Sequence, residues 1–222
     1  MRRTLISNIL LVVFVVAFTG ICVAWNWPKW WVNISLEVCA LAWLQCSFLL
    51  VIGIILLQTA AVRAAPISAP GGRRAPFLDS RAFDMVSGAG FIYLALDERF
   101  QFHERMRDYY NFILKGKPVL PLVERGNYTL IVYAIVGLCF SISIIRNNRH
   151  LKSVWYFIAG IVTALLAVSM DAITAPDLAL ADFRREQFIE ELLEMTTMTL
   201  FLLFYLNRWF FHLDRLTENP KP

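Results

Sequence analysis

The sequence predicts an all-α integral membrane protein, a polytopic chain folded as one bundle of about six transmembrane helices. Three observations carry that prediction. Of 222 residues, 58% are hydrophobic and only 17% charged, where a soluble domain keeps about a quarter of its residues charged. Apolar runs of about 18 residues or more recur along the chain, each long enough to cross a hydrocarbon layer about 30 Å thick. The Lys and Arg residues form no basic run and flank the apolar segments, which is the pattern of membrane anchoring and excludes a nucleic-acid partner.

Taken in order, the runs cover about residues 4–25, 34–62, 83–103, 128–146, 151–171 and 188–210, and the whole chain, 1–222, reads as a single transmembrane domain. The first run follows Met1-Arg2-Arg3 and closes on Cys22-Val23-Ala24, which imitates a signal-peptide cleavage site; we read it as a retained signal anchor. The loop after it, Asn26-Trp27-Pro28-Lys29-Trp30-Trp31, has the amphipathic rings of an interfacial anchor. Residues 63–82 include a Pro/Gly-rich stretch without helical periodicity and read as a mobile cytoplasmic loop. Cys22, Cys39, Cys46 and Cys139 all fall inside apolar runs with no CxxC or Cys/His grouping, so they read as buried free thiols.

Orientation follows from the basic residues. If the N-terminus is cytoplasmic and every run spans, the cytoplasmic side holds Arg2, Arg3, Arg63, Arg73, Arg74, Arg81, Arg146, Arg149, Lys152, Arg208, Arg215 and Lys221, over half of the 21 basic residues. Both termini are then cytoplasmic. The acids are more skewed: of 17, only Asp79, Asp84, Asp214 and Glu218 fall inside. Acids contribute little to helix orientation, so insertion does not explain the skew.

Spacing converts to depth, because a helix rises 1.5 Å per residue. If the third run is one straight helix, Asp84 and Glu104 lie about 30 Å apart and mark its two boundaries. Asp97 and Glu98 then sit about 10 Å below the outer one. The same counting brings Asp171, Glu190 and Glu191 to the outer boundary, with Glu194 about one turn deeper. On a helical wheel Asp97, Gln101, Glu104 and Asp108 share a face, with His103 close by. Glu190 and Glu194 are i,i+4 neighbours whose like charges repel. Charges at such depth persist where they pair, bind an ion or face water.

These positions suggest a divalent metal site built from Asp97, His103, Glu104, Asp171, Glu190 and Glu194, with a catalytic or sensing role. Carboxylates with one imidazole suit Zn, Mn, Fe or Ca. The alternative is neutralisation by Arg99, Arg105, Arg107, Arg125, Arg184 and Arg185, which lie on the same side. Other chemistry finds no residues. The chain lacks a Glu-x-x-His repeat for a di-iron bundle, the histidines of a membrane zinc hydrolase, a buried Lys for a Schiff base, and any Gly-rich phosphate loop. No catalytic residue is assigned.

The stretch Leu96-Asp97-Glu98-Arg99-Phe100-Gln101-Phe102-His103-Glu104 resembles a helix end found in uncharacterised bacterial multi-pass membrane proteins, Leu-Asp-Asp/Glu-x-Phe-x-x-His-Glu. Those proteins also begin a late helix with a Glu-rich turn, here Glu190-Glu191-Leu192-Leu193-Glu194. The resemblance spans about residues 90–205. It implies a bacterial inner (plasma) membrane location and a pairing of the two acidic segments, and it implies no activity. Besides the metal site, two further roles remain open: a cation or proton translocator, and a non-catalytic accessory subunit of a larger complex. The expected partners are the lipid bilayer and other membrane subunits or further copies of the chain.

Overall fold

The structure, a computed structural model, describes residues 2–34, 39–64, 80–114, 128–172 and 180–218. These residues form seven helices and no strand: α1 (Arg2–Trp25), α2 (Ala40–Ala64), α3 (Ser80–Phe100), α4 (Phe102–Ile113), α5 (Tyr128–Asn148), α6 (Val154–Ala172) and α7 (Leu180–Glu218). Three of them are long and apolar enough to cross a membrane, over Thr4–Trp25, Ala40–Val62 and Tyr128–Asn148, and Val154–Met170 is a shorter apolar helix. That set makes the chain a membrane protein.

The expected runs are corrected at three places. The second helix begins at Ala40, not at 34, and Trp30 to Ile34 form turns instead. The sixth run, expected over 188–210, is part of a helix of 39 residues. At 1.5 Å per residue that is about 58 Å, nearly twice a hydrocarbon thickness. The third run does not continue as one helix: Gln101 adopts φ 55° and ψ 45°, and α4 starts afresh after it. The stretch 65–79 of the expected loop lies outside the described residues. All four cysteines are free, but only Cys22 and Cys39 are buried; Cys46 is half-buried and Cys139 exposed.

Packing is organised around α2 and α7. Helix α2 makes its most extensive contact with α3, α7 packs on both α6 and α2, and α1 and α5 are peripheral. Glycine sets the α2–α3 distance. A Cβ on Gly53 would lie 2.6 Å from Ile92 Cγ1 and 2.9 Å from the Gly88 carbonyl oxygen, so the two backbones approach as only small residues allow. Cys46 Sγ lies 3.2 Å from the Ala95 carbonyl oxygen nearby. Between α6 and α7 the Thr197 hydroxyl donates to Thr163 Oγ1 at 2.8 Å.

Polar contacts fix how the helices run. Asp84, near the start of α3, pairs with Arg208, far along α7. Asn8 of α1 and Asn207 of α7 are also paired, with Asn207 Nδ2 3.0 Å from Asn8 Oδ1. Gln45, early in α2, donates to Glu191 in the first half of α7 at 3.1 Å. Helices α1 and α3 therefore run antiparallel to α7, and α2 runs parallel to it. We call the end with Asn8, Asp84 and Arg208 the lower end, and the end with Gln45, Asp97 and Glu191 the upper end.

Candidate functional site at the upper end

The break at Gln101 builds the site. A left-handed conformation costs a residue with a Cβ about 1–2 kcal/mol, so it persists where surrounding contacts enforce it. Here the Gln101 N–H still donates to the Asp97 carbonyl at 2.6 Å, and the Arg105 N–H donates to the Gln101 carbonyl at 3.0 Å. Between them the Asp97 side chain caps the new helix. Its Oδ1 accepts the His103 N–H at 2.9 Å, and its Oδ2 lies 2.9 Å from His103 Nδ1. A carboxylate at a helix N-terminus satisfies an otherwise orphan N–H and meets the positive end of the dipole.

This geometry replaces the expected single helical face. Asp97 is 4% exposed and its carboxylate belongs to the α3–α4 joint. Burial lowers the affinity of the His103 imidazole for a proton, but the hydrogen bond and charge of Asp97, reinforced by Glu104 and Glu98, outweigh it. The imidazole therefore titrates above its ordinary value. His103 stands in α4, beyond the end of α3.

Next to this pair lies a cavity of about 350 Å³. Its upper lining carries Asp97, Glu98, His103 and Glu104 from α3 and α4, and Glu190, Glu191 and Glu194 from α7, with Arg107 the basic residue among them. Its floor and walls are apolar, including Phe91, Leu138, Ile161, Leu165, Met198 and Phe201. Helix α5 forms one side and contributes Tyr133, whose hydroxyl lies 2.6 Å from that of Tyr93 on α3. Five of the six residues expected to act together are thus brought to one cavity. The sixth, Asp171, has its backbone in the last turn of α6, and its side chain lies outside the described residues.

Among the described residues, no group of three or more His, Cys, Asp or Glu side chains is placed to hold a metal ion. Three of the arginines expected to neutralise the acids have described side-chain contacts. Arg107 Nη2 lies 4.0 Å from Glu104 Oε2. Arg99 also covers the Trp43 ring at 4.3 Å and Arg184 the Trp31 ring at 4.1 Å, both within cation–π range. Arg125 lies outside the described residues.

Residue reasoning missed Gln45 and Tyr133. Gln45 is fully buried, and besides Glu191 Oε2 its Nε2 reaches the Glu191 carbonyl at 3.4 Å. Its signal was a lone amide inside an apolar run. Tyr133 gave no such signal, because tyrosine is ordinary at a membrane boundary.

Below the cavity the bundle closes with rings. Phe157 lies 5.0 Å from both Phe201 and Phe204, and Phe91 lies 5.5 Å from Tyr205, centroid to centroid. A second cavity, of about 240 Å³, opens at the lower end, lined by Asp84, Asn148, His150, Arg208 and His212 among others. The two share no lining residue. Along α7, Phe204 and Tyr205 fall between Phe201, which lines the upper cavity, and Arg208, which lines the lower one.

Fold and site together define a helical membrane protein with an acid-rimmed, half-open cavity. The chain belongs to the family described as a domain of unknown function, DUF8692, whose model matches residues 7–209. No curated protein and no solved structure matches the chain.

Proposed function

We propose that this is a six-pass protein of the bacterial inner membrane, with both termini cytoplasmic, that binds a cationic ligand in its upper, periplasmic cavity. The observation that carries the reading is the cavity lining. Six carboxylates from three helices stand with His103 and Arg107 above an apolar floor. A half-open cavity lined mainly by acids on its polar side has a negative potential that attracts a cation. The antiparallel course of α1 and α3 against α7 and the Lys/Arg bias support the topology.

The volume and the floor favour a ligand larger than a bare ion. Pockets of about 300–1,000 Å³ with apolar walls and a few polar groups suit small organic molecules. An organic ammonium would set its charge among Glu104, Glu190 and Glu194 and its apolar part against Phe91, Ile161 and Phe201. A divalent metal, the ligand expected from sequence, requires three of the acids to converge on one point. The ring-packed layer beneath the cavity supports a binding or sensing role over passage through the bundle.

Isothermal titration calorimetry in a neutral detergent tests this reading with phenyltrimethylammonium and its neutral isostere tert-butylbenzene. The cation is expected to bind wild type, and to bind the Glu190→Gln/Glu194→Gln variant about tenfold more weakly, the effect of about 1.4 kcal/mol. Equal binding of the neutral isostere, or equal binding by the variant, overturns it. Titration of Ca²⁺, Mn²⁺ and Zn²⁺ in parallel decides for the metal if only one of these binds stoichiometrically.

A further inference from the structure

The upper cavity has a shape as well as a charge. Its lining runs from Glu190 to Phe201 along α7 and from Leu130 to Ser141 along α5. Each of those stretches spans about 16 Å of helix, so the 350 Å³ are drawn out into a long, narrow space. Acids line its upper end, and below them the wall is apolar, with Leu94, Ala134, Leu165 and Met198 among its residues.

This space is open between α3 and α5. Helix α5 rests on α6 and α4 and has no comparable backbone packing on α3 or α7. It meets α3 through two aromatic pairs, which set the two helices antiparallel. Tyr133 and Tyr93 form the upper pair, 6.0 Å between centroids, and Phe140 and Phe83 the lower, at 5.5 Å. Between the pairs stand two glycines: Gly90, three residues below Tyr93, and Gly137, four residues below Tyr133. Both are exposed, and a Cβ added to either would meet no neighbouring helix within 4 Å. Gly53 at the α2–α3 contact is the opposite case, because a Cβ there would collide with Ile92. Gly137 also lines the cavity itself.

Depth decides what lies outside the gap. Gly137 is near the middle of the apolar helix Tyr128–Asn148, and the exposed residues beside it are Ile135, Val136 and Leu138. A gap at that depth faces hydrocarbon. We infer that the upper cavity takes an alkylammonium amphiphile from the bilayer, its head among the upper acids and its chain leaving between Gly90 and Gly137. This rests on the reading of the cavity as a cation site and adds the nature of the apolar part and its route. The negative upper end draws the head, and the apolar lower wall suits a chain that is continuous with the leaflet outside.

Photolabelling in phosphatidylcholine nanodiscs tests the inference, with dodecyltrimethylammonium carrying a mid-chain diazirine and the corresponding neutral dodecanol. Mass spectrometry maps the adducts. The ammonium probe is expected to label cavity residues such as Ala134, Leu165 and Met198, and the alcohol to label them about tenfold less, as the loss of one charge contact allows. Gly137→Phe, which puts a ring in the gap, is expected to lower the cavity adducts by a similar factor. Gly90→Phe closes the gap from α3 and serves if the first variant does not fold. Ile142→Phe, on an exposed position of α5, controls for the added ring. Equal cavity labelling in wild type and both glycine variants overturns the inference. If phenyltrimethylammonium binds by calorimetry but the long-chain probe labels only lipid-facing residues such as Val136, the cation site stands and the bilayer route falls. If the alcohol labels the cavity as strongly as the ammonium, the charge reading falls with it.

Discussion

At the lower end of α3, Asp84 is 1% exposed and paired with Arg208, a residue 124 positions away in sequence. At its upper end, Asp97 is 4% exposed and paired with His103, only six positions away. One helix thus carries two buried carboxylates that are stabilised in different ways. The lower pair ties α3 to α7 and is tertiary. The upper pair is local, made by bending the chain at Gln101 so that a side chain of one helix caps the next. A tertiary pair holds the bundle closed. A local pair leaves the neighbouring helices free to form a cavity wall, and the acid-lined space lies beside it.

The largest test of that contrast is to remove one partner of the lower pair. Arg208→Ala leaves Asp84 buried without its counter-charge, and such losses cost about 3–5 kcal/mol. The double variant Asp84→Leu/Arg208→Met is expected to recover most of this, because paired apolar replacement of a buried ion pair is often neutral. Reversible unfolding in mixed micelles measures both. If the single and double variants are equally destabilised, the pair is not what holds α3 to α7.

A smaller effect is expected at the upper end. Asp97→Ala removes the cap of α4 and a charged hydrogen bond, which together cost about 1.5–3 kcal/mol. The loss should be local, so amide exchange accelerates over 102–113 more than over the rest of the chain. Uniform acceleration would make the upper pair as global as the lower one. Smaller again is Gln101→Val: a β-branched residue at positive φ is sterically disfavoured beyond the cost that Gln101 already bears there. It is expected to destabilise the joint without altering the Asp84–Arg208 end.

The smallest effect is a pH dependence. The folded His103 imidazole titrates above its ordinary value of about 6.5. Its contribution is therefore complete below the unfolded value and is lost as pH rises through the folded one. Thermal melts from pH 6 to 9 should show wild type losing stability that Asp97→Asn never had. NMR titration of the His103 ring should show its pKa fall in that variant. An unchanged His103 titration would mean that Asp97 does not hold the proton there.

Much of the architecture was legible because hydropathy has a length scale. A run of apolar residues long enough for a bilayer must close its hydrogen bonds within itself, so it becomes a helix. That reasoning placed α1, α5 and α6 within a few residues of their observed bounds. It failed at Gln101, because the apolar pattern continues through Phe100 and Phe102 and neither Gly nor Pro marks the bend. It also stopped short on α7, whose first two turns are polar and lie outside any apolar run.

The acidic residues divide in the same way. Sequence alone determined that acids gather at one end of the bundle, because charge, spacing and helical rise are one-dimensional quantities. Asp97, His103, Glu104, Glu190 and Glu194 could be brought to one layer by counting. Which of them pair, which line a cavity, and which arginines stack on tryptophan depend on how helices rotate about their axes. Only packing sets that rotation: the glycine contact of Gly53 with Gly88, the Gln45 bond to Glu191, and the partner that Arg208 provides for Asp84. The lower cavity was invisible for that reason. Its residues come from the start of α3, the α5–α6 turn and the far end of α7, and no spacing in the chain connects them.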